Sequence, residues 1–160
     1  MKKFISLIIL MVTGLCSASY AQDFEQIIEH FGAKEGADVA RVSGIMQKLA
    51  SSASGCKGDV ATKEFMKRTN SMTMLDLERC SQADKEEFAK AIKDIQPADT
   101  EVIKQTELAR VFFREGERRN ELIVATYDGE AYFLTLMQGR FSRQEAINNI
   151  VTRKKSEQKE

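Results

Sequence analysis

LARVFFREGERRNELIVATYDGEAYFLTLMQ, residues 108–138, holds three apolar runs cut by two charged, turn-forming breaks. With residues 101–106 in front, the runs 108–114, 120–127 and 131–138 predict a four-strand antiparallel meander. Glu115-Gly116-Glu117 parts the first two runs, and Asp128-Gly129 parts the last two. An Asp-Gly pair between alternating strands predicts a two-residue type I′ hairpin, which needs positive φ at both positions. In 108–114, Ala109, Val111 and Phe113 share one face, while Leu108, Arg110, Phe112 and Arg114 share the other. Residues 122–126 and 132–137 are mostly apolar on both faces, so the meander needs cover on both sides. Helices of the same chain, a second copy or a ligand could each supply it.

Helices are legible around this meander. Ser81-x-x-Asp84 is a capping-box pattern, and Phe88, Ala91, Ile92 and Ile95 follow at one-face spacing, predicting a helix over 82–95 closed off by Pro97. Phe24, Ile27, Ile28 and Phe31 predict another over 23–32, capped by Asp23 and ended by Gly32. Between them the reading gives a short strand over 37–42, a helix over 45–50 and a Ser/Gly-rich loop over 51–59. A helix over 60–67 follows, with Phe65 and Met66 inward, and then a strand over 72–79 with Leu75 and Leu77 on one face. A last helix runs from 142 to about 151. The expected fold class is α+β: a mainly antiparallel sheet ending in a four-strand meander, with amphipathic helices packed on it.

The N-terminus reads as an address. Lys2 and Lys3 precede an apolar run from Phe4 to Leu15, and Ser19 and Ala21 are small residues suited to cleavage before Gln22. The run is too short to span a bilayer as a helix. The expected organisation is a signal peptide over 1–21, a single domain over 22–152 and a charged flexible tail over 153–160, with a periplasmic or secreted location. Leu15 before Cys16 argues against lipoprotein processing, which wants a small residue there. Cleavage removes 21 of 160 residues, leaving 139, and takes two lysines from a balance of 24 basic and 24 acidic residues, leaving a formal charge of −2. Such a chain has no electrostatic case for nucleic acid, and no transmembrane segment is expected in the mature chain. Two cysteines remain, Cys56 and Cys80, which an oxidising compartment allows either to bridge or to stay as thiols. A bridge would close about 25 residues and contribute on the order of 3 kcal/mol.

Chemistry-bearing patterns are sparse. The chain has a single histidine, His30, on the flank of the first helix, and no nucleophile-elbow, Walker or zinc-protease motif, so no catalytic residue, metal or cofactor is implied. Glu86 and Glu87 are helix neighbours about 100° apart and cannot form a two-carboxylate site alone. Arg110 and Arg114 would stand about 13 Å apart on one strand face, each near cross-strand partners such as Glu121. Two functional readings follow. The first is a non-enzymatic interaction module that meets a partner through one face of the sheet or its rim, the candidate face being Arg110, Phe112, Arg114, Ile123 and Tyr127. The alternative is a hydrolase-type enzyme with a dispersed site, which predicts His30 or paired carboxylates converging in a pocket.

Several segments carry a family likeness. FEQIIEHF at 24–31, Lys34-Glu35-Gly36, VFFREGE at 111–117, Glu121-Leu122-Ile123-Val124 and FLTLMQG at 133–139 follow one another in a familiar order. Residues 24–150 resemble an exported Bacteroidetes family catalogued as domain of unknown function 4252, or a close sibling of it. The resemblance implies an exported α+β domain with no carried-over catalytic residues, and an envelope-sensing role among its expectations. The partner it leaves open is an envelope protein, a small ligand or a second copy of the chain.

Overall fold

The computed structural model describes residues 23–44, 60–129, 131–148 and 150. The proposed leader over 1–21, helix 45–50, loop 51–59 with Cys56, and tail 153–160 lie outside the described residues. The described elements are α1 (Phe24–Gly32), β1 (Asp38–Ser43), α2 (Val60–Arg68), β2 (Thr69–Asp76), α3 (Gln82–Asp94), β3 (Thr100–Gln105), β4 (Ala109–Arg114), β5 (Asn120–Tyr127) and β6 (Tyr132–Gly139). A closing helix, α4, comprises residues 143–148 and 150.

All six strands join one antiparallel sheet in the order β1-β2-β6-β5-β4-β3. The meander β3 to β6 is as expected, and β6 then pairs β2, which pairs β1 at the edge. Strand β2 lies three residues earlier than its apolar alternation indicates. Polar Thr69 and Ser71 are drawn into the ladder opposite Gly139 and Gln138. At its far end the Asp76 carboxylate accepts the Glu78 amide at 2.8 Å and turns the chain away. Leu77, just past the strand, keeps its amide on the Tyr132 carbonyl at 2.9 Å.

Local rules explain most helix ends. The Asp23 carboxylate accepts the Phe24 amide at 2.8 Å, and Ser81 Oγ accepts the Asp84 amide at 3.2 Å. Helix α3 stops at Asp94, because Ile95 is already extended two residues before Pro97. Gly32 does not end α1 through a left-handed conformation; the cap is Ala33, in the right-handed helical region. Its small size serves packing instead, since a Cβ there would meet Val39 at 2.7 Å. The left-handed position is Gly36, at φ 85°, tucked against the Arg79 carbonyl.

The Asp128-Gly129 turn departs from expectation. Tyr127 pairs with Tyr132, so the connection is longer than the two residues of a type I′ hairpin. Among the described residues, positive φ occurs at Gly36 and Asp99 only. The loop is held by the Asp128 amide on the Ala131 carbonyl at 3.2 Å and by the Ala131 amide on Asp128 Oδ1 at 2.7 Å. A side-chain acceptor thereby replaces the backbone geometry of a type I′ turn.

The sheet is covered on both faces, each by two helices of the same chain. On one face α1 and α3 bring Phe24, Ile28, Phe31, Phe88 and Ile92 onto Leu75, Phe112, Ile123 and Leu134. On the other, Phe65 of α2, Phe141 and Ala146 of α4 pack over Val111, Phe113, Leu122 and Met137. The second core is smaller and lies toward the β6–α4 end. On this face Met74 is 40 % exposed.

Candidate binding cleft at the rim of the sheet

The five residues expected to form an interaction face do share one side of the sheet, but that side is the one beneath α1 and α3. Phe112 and Ile123 are fully buried, Tyr127 and Arg110 are buried, and Arg114 is half-buried. The Phe112 ring lies 4.9 Å from that of Phe24. Arg110 Nη1 donates to the carbonyls of Ile92 at 2.7 Å, Lys93 at 2.9 Å and Ile95 at 3.4 Å. Its guanidinium stacks 4.7 Å from the Phe112 centroid, and its buried Nε has no partner. Arg110 is thus a charged cap on the C-terminal end of α3, where the helix dipole favours a cation. Burial pushes the Tyr127 hydroxyl above its ordinary pKa, and Lys93 Nζ lies 5.3 Å from its ring. Strand alternation identifies a shared face; it carries no information on what covers that face.

Arg114 anchors a polar row at one end of the same face. Thr100, Arg114, Glu121, Gln138 and Ser71 stand opposite one another across five strands. Arg114 Nε donates to Thr100 Oγ1 at 3.1 Å and its Nη1 pairs with Glu121 at 3.0 Å. Gln138 Nε2 donates to Glu121 at 2.9 Å, and Ser71 Oγ donates to Gln138 Oε1 at 3.1 Å. Arg114 Nη2 closes the row onto Asp23, the α1 cap, at 2.7 Å. This hydrogen bond holds the Asp23 carboxyl below its ordinary 3.8. The folded value is depressed, so the contribution is complete above the unfolded value and is lost as pH falls through the folded one. Asp23 is 47 % exposed on its side chain, and solvent screening limits the effect to about 1 kcal/mol or less. Asp23→Asn keeps a capping acceptor and removes the charge. Its melting temperature is expected to fall below wild type near neutral pH and to converge with it as pH drops below 3.8. A constant offset down to pH 2 in parallel thermal melts would refute the assignment.

His30 stands in solvent. Its side chain is 54 % exposed, with Nε2 3.2 Å from Glu87 Oε1. Lys34 bridges Glu87 at 3.0 Å and Asp84 at 3.1 Å, so these groups tie the end of α1 to α3. Nearby Cys80 is 7 % exposed, and burial, followed by the Asp84 charge, raises its thiol pKa. That direction disfavours the reactive thiolate.

Two open clefts lie at the rim. The β4–β5 turn (residues 115–119), the entry to β3, the end of α2 and the β6–α4 junction meet there around two adjoining clefts. One, of about 470 Å³, lies between Asp99–Glu101, Glu115 and Arg143; the other, of about 410 Å³, lies between Arg68, Glu117–Arg119 and Arg140. Glu115, Asn120 and Ser142 border both. Asn120 is the bracket between them: its Oδ1 accepts the Gly116 amide at 3.1 Å and its Nδ2 donates to the Phe141 carbonyl at 2.9 Å. Ser142 and Glu145 cap α4 reciprocally. Ser142 Oγ accepts the Glu145 amide at 3.3 Å, and Glu145 Oε2 accepts the Ser142 amide at 2.7 Å. That amide is the first cause of a lowered Glu145 pKa. Glu145 also pairs with Arg68 at 2.7 Å, and Arg143 Nε donates to Glu101 at 2.8 Å, which lowers the Glu101 pKa.

Ser142-x-x-Glu145 is a legible capping box in the sequence, and it marks the start of α4 and one border of the clefts. The meeting of Arg118 and Arg119 with Arg68 and Arg140 has no local sequence signal, because it depends on how three separate chain segments end at the same edge.

No protein-family model, curated protein or solved structure matches this chain. Among the described residues, no group of three or more His, Cys, Asp or Glu side chains is arranged to hold a metal ion, and no helix is long and apolar enough to cross a membrane.

Proposed function

We propose that this chain is an exported, non-enzymatic interaction module of the cell envelope, and that it meets its partner, an envelope protein or a small ligand, at the rim clefts. The carrying observation is the division of labour in the fold. Both sheet faces are occupied by helices of the same chain, while the ends of several elements leave two open clefts bordered by charged residues at one edge. The signal-like residues 1–21 and the resemblance to an exported family support export.

Fractionation of the expressing cells tests the export half: the mature chain is expected outside the cytoplasm, with Gln22 at its N-terminus. The binding half is tested with a photo-crosslinking amino acid placed at Glu117 in the rim or at Lys90 on exposed α3. Specific adducts are expected from position 117 only. Equal labelling from both positions, or adducts from Lys90 alone, would remove the rim as the binding surface.

A further inference from the structure

We infer that the 410 Å³ cleft binds an oxyanion-bearing ligand, its phosphate or carboxylate groups held by Arg118, Arg119 and Arg140. The inference rests on the rim being the binding surface and adds the chemistry of what binds. Ion pairing is the habit of the neighbouring arginines: Arg68 meets Glu145, Arg114 meets Asp23 and Glu121, and Arg143 meets Glu101. Arg118, Arg119 and Arg140 depart from it together. All three are exposed, line the same cleft from two separate segments and make no ion pair among the described residues. Glu115, Glu117 and Glu145 line the same space; Glu145 is paired with Arg68, and neither Glu115 nor Glu117 makes an ion pair among the described residues.

With four arginines and three glutamates in the lining, the cleft keeps an excess of one positive charge, which an incoming anion relieves. The guanidinium fork matches the paired oxygens of a carboxylate or phosphate. Two backbone amides at the site are committed elsewhere: that of Arg140 to the Arg68 carbonyl at 3.0 Å and that of Gly116 to Asn120 Oδ1 at 3.1 Å. The exposure of the guanidinium groups makes the binding sensitive to salt.

Inorganic pyrophosphate and citrate are the probes, titrated separately into the mature protein at low ionic strength and followed by calorimetry and by amide shifts. At least one is expected to bind, with shifts centred on residues 116–120 and 140. The triple variant R118Q/R119Q/R140Q is expected to weaken that binding at least about tenfold. Its melting temperature should hold, since these side chains make no bond that the fold needs. The variant R41Q/R79Q/K90Q removes the same number of positive charges from exposed positions elsewhere and is expected to bind as wild type. Preference for pyrophosphate or for citrate assigns the phosphate or the carboxylate source. Binding of neither probe, or equal weakening by both triple variants, overturns the inference. If neither binds while rim crosslinks from position 117 persist, the anion chemistry fails and the rim reading stands; loss of those crosslinks in the otherwise wild-type protein removes the rim reading itself.

Discussion

Phe112→Ala is expected to destabilise the protein by about 3–5 kcal/mol, the range for truncating a fully buried aromatic side chain. Phe112 sits at the middle of β4 with no exposed surface, tilted against Phe24 of α1 and beneath the Arg110 guanidinium. Truncation therefore opens a void where sheet, α1 and the Arg110 cap meet, and little can collapse into it because β4 is paired on both sides. Urea unfolding followed by circular dichroism measures the loss, with Leu108→Ala as the contrast. Leu108 is 53 % exposed and its truncation is expected to cost about 0.5 kcal/mol or less. A cost below about 1 kcal/mol for Phe112→Ala would show that α1 does not pack on this face.

Arg110→Met is expected to cost about 2–3 kcal/mol. The substitution keeps an apolar stem over Phe112 and removes only the charged head, so it isolates the cap from the packing. Hydrogen bonds to a charged group contribute about 1.5–3 kcal/mol, and a cation at a partly buried helix C-terminus up to about 2 kcal/mol, two descriptions of one interaction that are not to be summed. Replacement leaves the carbonyls of Ile92, Lys93 and Ile95 without their shared donor. The unpartnered Nε works against the native residue, because burying it costs free energy that methionine would recover. Equilibrium unfolding of wild type, Arg110→Met and Arg110→Lys decides the balance. Lysine is expected to fall between the other two, since its ammonium keeps the charge at the helix end but loses the planar stack on Phe112. A methionine variant as stable as wild type would show that the guanidinium contributes nothing beyond the packing of its stem.

Both residues belong to the candidate interaction face, and both are buried beneath helices of the same chain. Alternation along 108–114 places Arg110, Phe112 and Arg114 correctly on one side, and the meander follows almost residue for residue. The Ser81 cap, the α1 stripe and the stop before Pro97 were likewise legible, because each depends on residues within one or two turns of chain. Strand β2 begins three residues before its apolar alternation, because Thr69 and Ser71 join the sheet through β6, more than sixty positions away. At Asp128 a carboxylate bond to the Ala131 amide takes the place of the type I′ backbone conformation that Asp-Gly predicts.

The sequence by itself determined the fold class, the two best helices and the need to cover the meander twice, since periodicity and capping are short-range consequences of chain geometry. Only the tertiary structure decided which helices supply that cover, that Arg110 faces a helix end, and that unpaired arginines gather at one rim. Those outcomes depend on long-range pairing, which brings together segments that carry no mark of one another in the chain.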